Sequence, residues 1–228
     1  MIYQEIAEGC FVDRPNRFIA HVELAGRLET VHVKNTGRCR ELLVPGARVV
    51  LAKAANPQRK TRYDLTAVYK KDFGLINMDS QAPNRAVAEW LAEQGYDCVK
   101  PEYKYGSSRI DFYMEKHTDD GQAQKYLLEV KGCTLEINGT GYFPDAPTLR
   151  GVKHLGELAR AAGEGYSCTM AYVIQMEGVY EVIPNEAAHP EYVQAAEAAR
   201  EAGVRVLYLY TQVRPDELRI VGAKYLQQ

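Results

Sequence analysis

Asp111, Glu129 and Lys131 are the side chains whose types and spacing suit one reaction, hydrolysis of a phosphodiester at a divalent cation. In Arg109-Ile-Asp-Phe-Tyr-Met114, Ile110, Phe112 and Met114 alternate with Arg109, Asp111 and Tyr113. A strand there turns the apolar set toward a core and holds Asp111 on the other face. In Tyr126-Leu-Leu-Glu-Val-Lys131, Leu128 and Val130 share one face. Glu129 and Lys131 share the opposite face, about 7 Å apart along the strand. A three-residue turn at Asp119-Asp120-Gly121, with Gly121 left-handed, sets Asp111 opposite Glu129. Two facing carboxylates repel unless one takes a proton or a cation lies between them. Oxygen ligands favour Mg2+ or Mn2+. Such an ion polarises a phosphoryl group and activates water, and a lysine beside it offsets charge building on the phosphate. The competing reading is a surface ladder of salt bridges among the same three residues. An acidic-x-Lys tripeptide also occurs at Glu102-Tyr-Lys104, which reads as coincidence.

A second group surrounds the segment Tyr142 to Leu155, where Asp145, Arg150, Lys153 and His154 fall in or before the first turns of a helix. Cations at that end are unusual, because a helix N-terminus already favours anions. Arg150 and Lys153 are therefore expected to touch a phosphate. His154 by itself reads as a packed or partnered histidine, and Asp145 or Thr148 as an ordinary cap.

These residues need elements to carry them. Over the first eighty positions, Phe18–Leu24, Leu28–Val33, Val44–Leu51, Tyr63–Tyr69 and Phe73–Met78 alternate apolar with polar or follow turn signals such as Ala25-Gly26. Five short strands without a helix predict a small OB-like barrel. The pattern changes near Ala82-Pro83. Helices are expected at Asn84–Gln94, Thr148–Ala162 and Glu191–Ala202, and strands at Cys98–Tyr105, Arg109–Glu115, Lys125–Thr134, Cys168–Gln175 and Val204–Thr211. That alternation predicts a mixed α/β layer structure. The expected organisation is an α/β (α+β) protein with a nucleic-acid-binding domain at 1–82 and a catalytic domain at 83–228.

Bulk properties narrow the partners. The 228 residues carry a net charge of −2, yet Arg27 to Lys71 holds eleven basic residues against Glu29, Glu41 and Asp64. A local excess attracts phosphates whatever the total, so Arg38, Arg40, Arg59, Lys60 and Arg62 are expected to bind nucleic acid, with Arg109 beside the site. The five scattered cysteines show no CxxC spacing and read as reduced thiols. No apolar run is long enough to span a bilayer, and the first eleven residues lack a basic cluster. A cytoplasmic protein without a membrane partner is expected.

Asn35-Thr-Gly37, Leu43-Val-Pro-Gly46, Tyr105-Gly-Ser-Ser-Arg-Ile-Asp-Phe112, Leu128-Glu-Val-Lys131 and the run Gly141 to Leu155 together resemble the sugar fermentation stimulation protein A (SfsA) family over nearly the whole chain. The resemblance implies an N-terminal OB-like β-barrel and a C-terminal restriction-endonuclease-like (PD-(D/E)xK) mixed-sheet domain. It implies DNA as the first partner, a nuclease-like activity and a link to maltose metabolism. By position, Asp111 matches the Asp of the nuclease motif and Glu129 and Lys131 its Glu-x-Lys, with Glu89 where an accessory acid often stands. Ile110 replaces the Pro of the motif's name.

Three functions compete. The first is a Mg2+- or Mn2+-dependent nuclease with metal on Asp111 and Glu129, acting without sequence preference on DNA or RNA. The second is a non-catalytic DNA-binding regulator linked to sugar metabolism; no helix-turn-helix is readable. The third, an enzyme of small phosphorylated substrates, lacks a P-loop, a dinucleotide fingerprint or a nucleophile elbow.

Overall fold

Alternating side chains in the first eighty residues close into a barrel. In the computed structural model, which describes residues 1–35, 37–56 and 58–227, the strands are β1 (Ile6–Asp13), β2 (Ile19–Leu24), β3 (Arg27–Val33), β4 (Arg48–Lys53), β5 (Tyr63–Lys70) and β6 (Gly74–Asn77). Thr36 of the Asn35-Thr-Gly37 motif lies outside the described residues. The order is β3-β2-β1-β4-β5-β6, and a parallel pairing of β3 with β5, His32 to Asp64 and Val33 to Leu65, shuts the barrel. β6 lies beside β5 outside that ring.

β1, the strand that pairs with both β2 and β4, lies outside the five strands expected from the sequence. Its glycine explains both the oversight and the fit. Gly9 breaks the strand pattern, yet a Cβ there would meet the carbonyl oxygen of Glu23 at 2.6 Å, so only glycine lets the strands approach. The Ala25-Gly26 turn is as expected, with φ of 51° and 74°, the mirror-image geometry that suits hairpins.

The second half is built on a six-stranded sheet. After α1 (Ala82–Leu91) come β7 (Cys98–Tyr105), β8 (Ser108–His117), β9 (Ala123–Cys133), β10 (Leu135–Ile137) and β11 (Thr140–Phe143). Then follow α2 (Leu149–Gly163), β12 (Ser167–Ile174), β13 (Val182–Pro184), α3 (Pro190–Glu201), β14 (Arg205–Arg214) and β15 (Glu217–Tyr225). The sheet runs β15-β14-β12-β9-β8-β7, with β9, β12 and β14 parallel and the outer pairs antiparallel. The parallel strands require crossovers, and α2 and α3 supply them. Val87 and Leu91 of α1 pack on Phe112, Met114, Leu128 and Val130. Leu155 and Leu158 of α2 pack on the other face, in the cluster that also holds the barrel interior.

β10, β11 and β13 form a separate three-stranded sheet, and these strands and β15 were not expected. Strands of three or four residues carry too little periodicity to be read. Helix α1 starts at Ala82 rather than Asn84, because Pro83 fits the first turn, where no N–H is needed.

The barrel is joined to the second half by polar contacts. Asn77 N–H donates to the Gln175 carbonyl at 2.9 Å, and Gln175 Nε2 donates to Asn77 Oδ1 at 2.8 Å. Lys70 Nζ reaches the Glu136 carboxylate and, at 2.7 Å, its carbonyl. Within the first 82 residues, fully buried Asp79 pairs with Lys34 at 2.9 Å.

Candidate functional site

The hairpin between β8 and β9 sets the site. Gly121 is left-handed at φ 79°, Gly121 N–H donates to Thr118 O, and Thr118 N–H donates to Gln122 O. This is the three-residue turn read from the sequence, and it fixes the register Phe112 to Leu128. Extending that register one step would oppose Asp111 and Glu129, but the ladder ends at Phe112. On its other side β8 also loses a pair: Glu102 lies between the pairs Pro101–Phe112 and Tyr103–Ile110 and has φ 54°.

Asp111 occupies the break between the strands. Its Oδ2 accepts the Val130 N–H at 2.7 Å, and its Oδ1 accepts from Asn84 Nδ2 of α1 at 2.7 Å. The carboxylate thus stands in for a strand partner. The same break corrects the expected facing of β8. Phe112 and Met114 pack under α1, whereas Ile110 joins Tyr113 and Leu127 in the opposite cluster.

Glu129 is buried on the α2 side, 1% exposed. Its Oε1 accepts from Lys131 Nζ at 2.6 Å and contacts His154 Nδ1. Its Oε2 is buried with no hydrogen-bond partner among the described residues. A buried carboxylate oxygen without a donor is costly and calls for an explanation.

Asp111, Glu129 and Lys131 line one open cleft of about 540 Å3, together with Asn84, Thr148 and Arg150. Burial and then the charge of Glu129 raise the Asp111 carboxyl above the ordinary aspartate range. Burial also pushes Glu129 upward, but the His154 hydrogen bond and the Lys131 charge outweigh it and hold the group below its usual range. The two neighbouring carboxyls are thus displaced in opposite directions.

The donor set passes a test for a divalent cation. It offers oxygen ligands, one of them an orphaned buried oxygen beside a second carboxylate. Among the described residues no three histidine, cysteine, aspartate or glutamate side chains cluster as ligands. A cation there would rest on the two carboxylates and take its remaining ligands from outside the protein.

Other expected residues fall elsewhere. Glu89 binds the Met1 ammonium at 2.5 Å and is not in the cleft lining. Lys153 donates to Ser107 O at 3.0 Å in the β7–β8 turn. Arg109 points to exposed Glu102 at 3.5 Å. Asp145 lines a neighbouring hollow that shares Lys131, Val130 and Asn84 with the cleft, pressed against Gly37 of the barrel. The α2 cap is Thr148, whose Oγ1 accepts Gly151 N–H at 3.0 Å, and not Asp145.

The basic stretch is also less free than its composition suggests. Of its eleven cations, Lys34, Arg48, Lys53, Arg59 and Lys70 pair with Asp79, Glu8, Glu5, Asp64 and Glu136, acids mostly from outside that stretch. Arg38 and Arg40 are exposed around a hollow with Arg14 and Arg17. Arg62 is exposed over the Tyr63 ring, and Lys60 is exposed. A larger groove of about 1090 Å3 on the barrel is lined by Lys34, Arg59, Arg62 and Arg85, and Gln81 lines both it and the cleft.

Sequence reasoning missed Asn84 and Glu102, which also lines the cleft. The signal for Glu102 was present: the Gly106-Ser107 turn fixes the β7–β8 register and sets residue 102 against residue 111.

Among the described residues no helix is long and apolar enough to cross a membrane. The family profile described as "SfsA N-terminal OB domain" matches residues 12–78, and that described as "Sugar fermentation stimulation protein RE domain" matches 81–217. The chain is similar to the sugar fermentation stimulation protein homolog of Ruminiclostridium cellulolyticum, 49% identical over 213 residues and 92% of each chain. It is similar to the homolog of Desulfitobacterium hafniense strain Y51, 48% identical over 222 residues, covering 96% of this chain and 94% of that one. The solved structure of Pyrococcus furiosus SfsA in complex with Ca2+ superposes with a TM-score of 0.80 at 26% identity, over 96% of both chains.

Proposed function

The chain belongs to the sugar fermentation stimulation protein family, and from that premise we propose that it cleaves nucleic acid phosphodiesters with Mg2+ or Mn2+, without sequence preference. On this reading residues 1–82 hold the substrate, DNA first, and residues 83–228 form a restriction-endonuclease-like PD-(D/E)xK domain that cuts it. The observation that carries the proposal is the buried Oε2 of Glu129, without a partner among the described residues, in the cleft that Asp111 lines. The family's RE-domain description and the Ca2+ bound to the archaeal relative support it. Ca2+ and Mg2+ are both hard ions that take oxygen ligands.

Asp111 and Glu129 would hold the ion, which when bound supplies Lewis-acid polarisation of the phosphate and a more acidic water. Lys131, fixed by Glu129, keeps its ammonium at the reacting phosphate and offsets the negative charge that builds there. Asn84 and the Val130 N–H lock the Asp111 carboxylate so that little reorganisation accompanies binding. Arg150, at the start of α2 and in the cleft lining, receives a non-bridging phosphate oxygen.

The test is incubation of the purified protein with single- and double-stranded DNA and RNA, with and without Mn2+, beside Asp111→Ala and Lys131→Ala. Metal-dependent products that vanish in both variants are expected. Undiminished cleavage by Asp111→Ala overturns the proposal. Binding with a steep salt dependence and no products favours a non-catalytic DNA-binding regulator instead.

A further inference from the structure

His154 is 3% exposed, yet it touches the one buried acid of the cleft. Its two ring nitrogens have different partners. Nδ1 faces Glu129 Oε1, and Nε2 faces Arg150 Nε at 3.4 Å, one helical turn earlier on α2. An arginine Nε–H can only donate, so Nε2 must present its lone pair. The proton of a neutral ring then sits on Nδ1 and is donated to Glu129. Oε1 thereby receives two donors, Lys131 Nζ and His154 Nδ1, while Oε2 receives none among the described residues.

We infer that His154 is a positioning residue: clamped in one tautomer by Arg150, it pins Oε1 of Glu129 and so presents Oε2 as the oxygen offered to a divalent cation. The inference rests on the metal-site reading above and adds a chain of control behind it. Groups that orient a metal-binding side chain through its second atom commonly set its affinity. Here the link runs on to Arg150, which lines the same cleft. Phosphate binding at Arg150 and cation binding at Glu129 therefore act on one imidazole. Among the described residues Glu129 accepts one further contact, from Lys131, so loss of His154 frees the carboxylate to rotate.

The variants are His154→Leu, which fills the space without a donor, and His154→Asn and His154→Gln, whose amide nitrogens stand near Nδ1 and Nε2 respectively. Mn2+ binding to the full chain is measured by titration calorimetry, with a thermal melt for each variant. His154→Leu is expected to bind Mn2+ about 10–100-fold more weakly, and His154→Asn to stay near the unsubstituted chain. Should His154→Leu not fold, the comparison of Asn with Gln decides: Asn binding more tightly supports the inference, and equal affinities overturn it. In the metal-free chain, imidazole 15N shifts are expected to show a protonated Nδ1 and a bare Nε2; the reverse tautomer overturns the inference. Mn2+ uptake that His154→Leu leaves intact overturns the inference alone. An unsubstituted chain that takes up no Mn2+ overturns the metal-site reading and this inference with it.

Discussion

Asp111 and Val130 are joined across the point where two strands part, with Oδ2 of Asp111 accepting the Val130 N–H at 2.7 Å. The carboxylate therefore has a structural duty as well as a chemical one, and the two can be separated. Asp111→Asn keeps an acceptor for Val130 and removes a negative charge beside Glu129. Asp111→Ala removes the acceptor, and a buried N–H left unpaired costs about 1–3 kcal/mol. In metal-free melts at neutral pH, Asp111→Asn is expected to unfold above the unsubstituted chain and Asp111→Ala below it, by roughly 2–4 °C per kcal/mol in a chain of this size. If the proposed cleavage holds, both variants are expected to lack it. An Ala variant as stable as the Asn variant contradicts the assigned duty.

The opposite displacements of the two carboxyls predict a pH dependence. Asp111 is raised by burial and by Glu129, so its ionisation costs folding stability as pH climbs past its unfolded value, fully so above its folded one. Glu129 is lowered despite burial, through His154 and Lys131, so its contribution is present above the ordinary glutamate range and is lost as pH falls through its folded value. A cation needs both groups ionised. As pH is lowered Asp111 takes its proton first, and Mn2+ affinity is expected to decline above the ordinary aspartate range. A calorimetric pH series checks this, and affinity that holds down to the usual aspartate range contradicts it.

Much of this site is legible in the sequence. The hairpin register followed from Gly121, but Asp111 reaches the cleft it shares with residues 129 and 131 at a break in the β8–β9 pairing, not as the cross-strand partner of Glu129. What could not be read are contacts set by sequence-distant elements. Nothing near Glu89 announces that the Met1 ammonium will take its charge. Nothing between Arg27 and Lys71 announces that Glu5, Glu8, Asp79 and Glu136 will fold back onto it. Ile110 misled for a physical reason: the period-two rule assumes an unbroken strand, and β8 breaks at Asp111 because a side chain replaces a ladder bond. Local pattern carried the elements, while long-range charge pairing decided which cations stay free.

Lys70 and Glu136 tie the barrel to the second half, and Glu136 is only 6% exposed. Lys70→Met leaves that carboxylate buried with Gly139 N–H as its remaining donor. Losing one partner of a fully buried pair costs on the order of 3–5 kcal/mol, an upper bound for this part-buried one, whereas replacing both is often neutral. Urea melts should show Lys70→Met strongly destabilised and Lys70→Met with Glu136→Leu largely restored. Burial pushes the Glu136 carboxyl up, but the Lys70 hydrogen bond outweighs it and holds the group below its usual range. The pair's contribution is therefore lost as pH falls through that lowered value, and the gap between Lys70→Met and the unsubstituted chain should narrow in acid. A double variant no better than the single one rules the pair out as the cause.

Arg59 and Arg62 stand three residues apart on one groove and should behave oppositely. Arg59 donates to both oxygens of Asp64, at 3.1 and 2.8 Å, and among the described residues Asp64 has His32 as its other side-chain partner. Arg59→Ala is therefore expected to lower the melting temperature and leave the salt dependence of DNA binding nearly unchanged. Arg62 lies exposed over the Tyr63 ring with its charge unpaired among the described residues, and exposed Arg40 has no ion pair there either. If a phosphate rests on either, Arg62→Ala or Arg40→Ala releases about one fewer counterion on binding. The slope of log K against log salt on duplex DNA then flattens by about 0.9, with no shift in melting. Fluorescence anisotropy across a salt series reads the slope directly. Composition alone treats all three arginines as equivalent, so three equal slopes would return the barrel to a generally basic surface without a defined phosphate track.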